Sequence, residues 1–327
     1  MNAASRALRC WLAPMVLVWG AAAFAQDKPP DYPMRPIRII IAVAPGAGAD
    51  YVARATAQML TDRWGQNAVV DSRPGGAGVV AVELLARSSP DGYTMLQFGD
   101  GMMLIAAHKR VSFDVFKAFE PVVSSSTQPY VLLIHPSVPA RSVKELVALS
   151  ATKPVTYAGG GGVGGTVNVG MERLASLSNM KLKYVAYKGA APAILALLGG
   201  EIQMVCASAM ASSAAIRTGK VRGLATTGAK RIAALPDLPT VAEQGVPDYK
   251  LTNRYNIWVP AGTPRAITAA INRVVTDGMH SPQMMQRLAA EGSEPAERMT
   301  PPELRATLAR EYLEVERGVI ALNQKPR

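Results

Sequence analysis

The chain has 327 residues, 49% of them hydrophobic and 18% charged, a composition that excludes a disordered or low-complexity protein. The formal net charge is +11, and setting aside Arg6 and Arg9 of an N-terminal leader leaves about +9. The basic residues are scattered, with no run of five or more and no interleaved aromatics, so the footprint of a nucleic-acid groove is missing.

In chain order, residues 1–25 read as a secretory signal peptide. Arg6 and Arg9 form a positive start, 10–23 is mostly apolar, and Ala23-Phe24-Ala25 is a small-x-small cleavage site. The apolar run falls short of the ~20 residues of a membrane span. The mature chain is long enough for two cores. Its one remaining cysteine, Cys206, rules out an intrachain disulfide and reads as a small buried hydrophobe.

The organising stretch is 37–50, IRIIIAVAPGAGAD. Its apolar run predicts a strand buried on both faces. Pro45, Gly46 and Gly48 break the strand, and Asp50 stands where a helix N-cap belongs. The following helix carries Val52, Ala55, Met59 and Leu60 on one face and stops at Gly65. Strand, glycine turn and helix start together leave N–H groups aimed at one spot, which favours an anion.

Alternation continues: a strand at 68–70, a turn at 72–76, a helix at 79–87, a turn at 89–92 and a strand at 93–98. This pattern predicts a mostly parallel sheet covered on both faces. Residues 113–122 lead into a crossing strand, and 130–135 begins a second run. Ser142 and Glu145 form a capping box. A strand at 155–158, a helix at 167–177, a strand at 182–187, a helix at 192–198 and a strand at 202–207 follow. A second βα core therefore occupies roughly 131–254. Thr240 to Glu243 forms another capping box, 256–259 is a strand, Pro264 opens a helix, and two more helices return the chain to the first lobe. Two crossings make a hinge.

Between the strand at 155–158 and its helix lies a second bare-backbone loop, Gly159 to Thr166, the same device as the first. It lacks the Lys-Ser/Thr of a P-loop. Gly159 to Gly164 formally fits a dinucleotide fingerprint, but the next strand ends at Tyr187-Lys188 rather than at an acid. A turn without any ligand is the structural alternative. His108, His135 and His280 are not at metal-ligand spacing, there is no G-x-S-x-G elbow, and Asp50 and Asp100 read as cap and loop acids. No catalytic residue, metal or cofactor is expected.

The ordered motifs resemble the Bug family, extracytoplasmic solute receptors of tripartite tricarboxylate transporters. They are Tyr32-Pro33-Met34-Arg35-Pro36 through Pro45-Gly46-Ala47-Gly48-Ala49-Asp50, Ser72-Arg73-Pro74-Gly75-Gly76, Pro90-Asp91-Gly92-Tyr93, Phe119-Glu120-Pro121-Val122, Tyr187-Lys188-Gly189, Leu197-Leu198-Gly199-Gly200, Pro239 to Glu243 and Pro260 to Pro264. The match runs through almost the whole mature chain. The resemblance implies a two-lobed, type II-like periplasmic binding protein of two α/β domains joined by a hinge, with residues 26–130 and 255–327 as one lobe and 131–254 as the other. It also implies a periplasmic, monomeric, non-enzymatic receptor that holds a carboxylate through backbone amides and delivers it to membrane permease subunits. Many members carry a His where this chain has Asn168.

The expected ligand contacts are Ala47, Gly48, Ala49 and Asp50 on one loop, Gly160, Gly161, Gly164, Gly165, Thr166 and Asn168 on the other, and Ser208. The amides of Gly48, Ala49, Gly164, Gly165 and Thr166 are the expected donors, with 98–102, Ala207 and Tyr255 lining the remainder. The solute is left open among di- or tricarboxylates, amino acids and neutral aromatic acid derivatives. A periplasmic sensor and an exported nucleotide-dependent oxidoreductase are the alternative readings.

Overall fold

The computed structural model describes residues 29–46, 48–187 and 189–323; the leader and Ala47 lie outside them. The apolar run forms β1 (Ile37–Ile41), with Ile37, Ile39, Ile40 and Ile41 all buried. α1 (Gly48–Trp64) packs Val52, Ala53, Ala57 and Leu60 onto it, and Gly65 at φ +71° ends the helix. β2 (Ala68–Ser72), α2 (Val79–Ala86) and β3 (Thr94–Phe98) complete a unit in which β2 and β3 flank β1 in parallel. A short α3 (Gly101–Ala107) and α4 (Val115–Ala118) follow; Asp100, expected as a loop acid, stands at the N-cap of α3 without a side-chain cap bond.

β4 (Phe119–Ile134) is one strand of 16 residues where the sequence suggests two runs. Its polar middle pairs with β9 instead of breaking the strand, and Ser124, Ser125, Ser126 and Gln128 are buried there. The second half is α5 (Val143–Thr152), β5 (Val155–Gly159), α6 (Thr166–Ser178), β6 (Leu182–Tyr184), α7 (Ala190–Leu198), β7 (Met204–Ser208), α8 (Ala209–Arg217) and β8 (Arg222–Thr226). Thr240 and Glu243 make the reciprocal capping-box bonds at 2.6 and 3.0 Å, yet the chain only turns there. β9 (Thr252–Pro260) returns alongside β4, and α9 (Arg265–Met279), α10 (Pro282–Ala290), β10 (Glu294–Pro295) and α11 (Pro301–Asn323) finish the chain. Pro264 is the N-cap of α9 and not its first helical residue as expected, so the helix begins one position later, at Arg265.

The sheet runs β2-β1-β3-β9-β4-β7-β5-β6, with β8 and β10 also on β4. Each half is parallel at its outer strands, while β3–β9, β9–β4 and β4–β7 are antiparallel. Apolar cores sit on both faces of each half. Residues between Tyr32 and Val123 and between Tyr255 and Leu308 build one pair, and residues between Val131 and Leu251 the other. β4 and β9 are the strands that cross from one half to the other. Among the described residues, no helix is long and apolar enough to cross a membrane.

Candidate functional site

The first corner joins β1 to α1. Gly46 takes φ +84°, a left-handed turn that suits glycine, and its N–H donates to Asp50 Oδ2 at 3.0 Å. The same oxygen accepts from Arg54 Nε at 3.0 Å. Asp50 is therefore in the first turn of α1, reaching back, and not at the N-cap. The turn at Gly46 lets the helix begin at Gly48, two residues earlier than expected. Asp50 is 5% exposed, and its Oδ1 has no partner among the described residues. A Cβ on Gly48 would stand 2.7 Å from Gln128 Oε1, so glycine is what admits Gln128 against the helix end. That oxygen accepts from the Tyr255 hydroxyl at 3.1 Å. Among the described residues, the N–H groups of Gly48, Ala49 and Asp50 have no backbone partner, as expected at a helix start.

The second corner joins β5 to α6. Gly161, Gly162 and Gly164 take φ of +89°, +70° and +71°, which makes a tightly folded loop rather than a loose one. Gly165 N–H donates to Gly162 O at 3.2 Å, and a Cβ on Gly165 would meet Gly161 O at 2.4 Å. Gly164 N–H donates to Asn168 Oδ1 at 2.8 Å, while Asn168 Nδ2 donates to the Tyr157 hydroxyl at 2.9 Å. Burial pushes that hydroxyl's pKa up, against the opposing effect of the Asn168 bond. Two of the expected donors, Gly164 and Gly165, are thus engaged in holding the loop. Asn168, a short side chain in the first turn of the helix, braces the loop from within. The amides of Thr166, Val167 and Asn168 have no partner among the described residues.

Ser208 ends β7 as the N-cap of α8, its Oγ accepting from Ala211 N–H at 3.4 Å, and it lies opposite Tyr130 on β4. Gly160 has open space where a Cβ would stand. The expected residues thus fall into three groups, one at each helix start, and among the described residues no hydrogen bond joins the two glycine loops directly.

The halves are connected by Arg110, Asn253 and Arg254, which no motif marks in the sequence, together with Asp100 and Tyr255, which the sequence offers as lining residues, and His108, which it offers only as a lone histidine. Arg110, just beyond α3, donates to Val163 O at 2.8 Å, and its guanidinium lies over Gly164, where a Cβ would stand 2.4 Å from Nη2. Beside it, His108 Nε2 is buried and unpartnered among the described residues; burial and then Arg110 push the imidazole below its ordinary pKa. At the crossing, Asp100 Oδ2 accepts from Arg254 N–H at 3.3 Å and Asp100 N–H donates to Asn253 Oδ1 at 3.2 Å. Burial pushes the Asp100 carboxyl up to about 6, opposed by Arg254. Burial likewise moves the Tyr255 hydroxyl to about 12, with an Asn253 hydrogen bond acting the other way. The sequence did hold one signal for this floor: Gln97, a lone amide inside the apolar strand at 93–98, is costly to bury without a purpose.

Two concavities lie elsewhere. One of about 580 Å³ is lined by Phe113, Phe116, Tyr312 and Leu313, and one of about 220 Å³ by Lys230, Arg231, Lys250 and Glu294. Among the described residues, no group of three His, Cys, Asp or Glu side chains is placed to hold a metal ion.

A family model described as Tripartite tricarboxylate transporter family receptor matches residues 52–319. The chain belongs to this receptor family. The receptor is 30% identical over 284 residues to Protein BugT of Bordetella pertussis, covering 86% of this chain and 87% of that one, in agreement with the Bug-like motifs of the sequence. A structure of an R. palustris protein with adipate superposes with a TM-score of 0.82 at 28% identity, covering 88% of the receptor and 97% of that chain. MatC from Rhodopseudomonas palustris with bound malate gives 0.80 at 25% identity, with 88% and 100% covered. The shared architecture is the two-lobed α/β fold of binding proteins, as the motifs imply.

Proposed function

We propose that the protein is an exported periplasmic receptor that captures a small carboxylate between the corners at Gly48–Asp50 and Gly164–Asn168, closes on it, and delivers it to the permease of a tripartite tricarboxylate-type transporter. The observation that carries this reading is the pair of helix starts, α1 in one half and α6 in the other, each with amides that have no backbone partner among the described residues. Helix ends stabilise an anion by roughly 0.3–1 kcal/mol each, and up to about 2 where partly buried. The binding of adipate and malate by similar proteins supports a carboxylate. Residues 26–130 with 255–327, and 131–254, act as the two lobes, and β4 and β9 flex between them. Gly160, Gly161 and Ser208 line the cleft, while Asn168 acts by holding its loop. Arg110 supplies from the opposite half the positive charge that neither loop contains, and closure follows from tighter binding to the closed form.

A thermal-shift screen with adipate, malate, succinate and citrate tests this reading. At 100 times its Kd a bound solute adds about 2.7 kcal/mol, which moves the melting temperature by several degrees. No shift with any carboxylate contradicts the reading.

A further inference from the structure

We infer that the groove between residues 106–116 and α11 is the surface on which the permease docks, and that it receives an acidic segment carrying an aromatic or aliphatic anchor. The inference rests on the receptor reading above. The groove, about 580 Å³, has Val111, Phe113 and Phe116 on one wall and Ala309, Tyr312 and Leu313 on the other. Its walls are already fixed to each other. The Phe116 ring lies 5.1 Å from that of Tyr312 and 6.3 Å from that of the buried Trp258, centroid to centroid. Arg305 of α11 donates to Phe116 O at 2.6 Å. Leu313 is 50% exposed, and so is Ile320, about two turns further along the same face of the helix. The apolar surface therefore runs on beyond the groove. A prebuilt hollow with aromatic walls and exposed aliphatic neighbours suits an anchor residue at the centre of a protein interface.

Two observations choose the partner. The first is charge. Lys109 lines the groove without an ion-pair partner among the described residues, whereas the groove's acid, Asp114, is held by Lys117 at 3.6 Å. The groove thus favours carboxylates beside the anchor, and a second copy of a chain with net charge +11 is disfavoured. The second is place. Lys109 takes φ +49°, and the N–H groups of Lys109 and Arg110 donate back to Ala106 O and Ile105 O, both at 3.0 Å, which is the Schellman turn that stops a helix. One fixed turn therefore carries Lys109 in the groove and Arg110 on Val163 O of the opposite half. Val163 is the single residue with a side chain between Gly159 and Gly165, and it is 63% exposed. Leu313 from one half and Val163 from the other flank that turn while the lobes are closed, and opening about the hinge takes Val163 away. A surface completed by both halves binds the closed receptor better than the open one, which is the discrimination a permease needs.

The test is uptake of radiolabelled adipate, malate, succinate or citrate, whichever the receptor binds, by cells whose own copy of the gene is replaced by variants. Calorimetry on each mature protein gives its solute affinity. Leu313→Asp and Lys109→Glu should keep the wild-type Kd and periplasmic amount yet lower uptake at least 10-fold at saturating solute, while Lys109→Arg should transport normally. Val163→Ser should also lower uptake at saturating solute; uptake equal to wild type would overturn the part of the closed half. Wild-type uptake by both Leu313→Asp and Lys109→Glu overturns the docking surface and leaves the receptor reading intact. A dimer in sedimentation equilibrium that Leu313→Asp dissolves gives the groove to a second copy and overturns it too. Binding of none of the four acids, or uptake that does not depend on the receptor, overturns both.

Discussion

Gly165→Ala is the sharpest perturbation of the second corner. Gly165 has φ −80° and ψ 171°, which any residue adopts, so backbone strain is not the issue. The obstacle is space: the added methyl would lie 2.4 Å from Gly161 O, 2.7 Å from Gly161 C and 3.0 Å from Gly161 Cα. These are backbone atoms and cannot rotate aside. The loop must open, breaking the Gly165–Gly162 hydrogen bond and displacing the start of α6. Such overpacking costs roughly 1–3 kcal/mol of stability, a loss that a core of this size tolerates. Each amide lost from a bound carboxylate is a charge-assisted bond worth about 1.5–3 kcal/mol, or roughly 10- to 100-fold in Kd. Calorimetry with the best carboxylate from the screen measures the loss, and circular dichroism with thermal melting checks the fold. Gly160→Ala is the control for stability alone, since nothing stands within 4 Å of its added methyl, and its melting should equal that of wild type. Wild-type affinity in a folded Gly165→Ala protein would refute the reasoning.

Three further outcomes follow from single residues. Asp100 titrates at about 6 in the folded protein, raised from 3.8 mainly by burial. It therefore holds its proton more tightly than the unfolded chain does, and its contribution, roughly 3 kcal/mol, is full below pH 4 and lost as pH rises toward 6; denaturant melts of Asp100→Asn should lack that decline, and an unchanged pH profile would contradict it. Arg110→Ala removes the bond to Val163 O, so small-angle scattering of the unliganded protein should show a larger radius of gyration, whereas identical curves would exclude a latch. Cys206 is fully buried, and burial pushes its thiol up, so iodoacetamide should label it only on unfolding; fast labelling of folded protein would contradict that placement.

Much of the fold was legible because period and punctuation agreed: Ile37 to Ile41 reads as a doubly buried strand, and Ser142 caps its helix as its type suggests. The crossing strand was harder, because Ser124 to Gln128 is polar and reads as a break, yet pairing with β9 buries all of it but Thr127. α8 and β8 were missed, since Ala-Ser repeats and an Arg-Gly start carry little periodic signal. At the site, both glycine corners were visible as breaks in apolar runs. Which amides remain available was not, because that depends on Asn168 and Gly162 closing the second loop. Arg110 was passed over for a related reason: it acts across the fold, on a partner far away in sequence.

Amide hydrogen exchange with and without a saturating carboxylate tests capture between two helix starts most directly. Added protection is expected in both 48–50 and 166–168, one segment from each half. Protection confined to one of these segments, or centred on the groove around Phe113 and Tyr312, would contradict it.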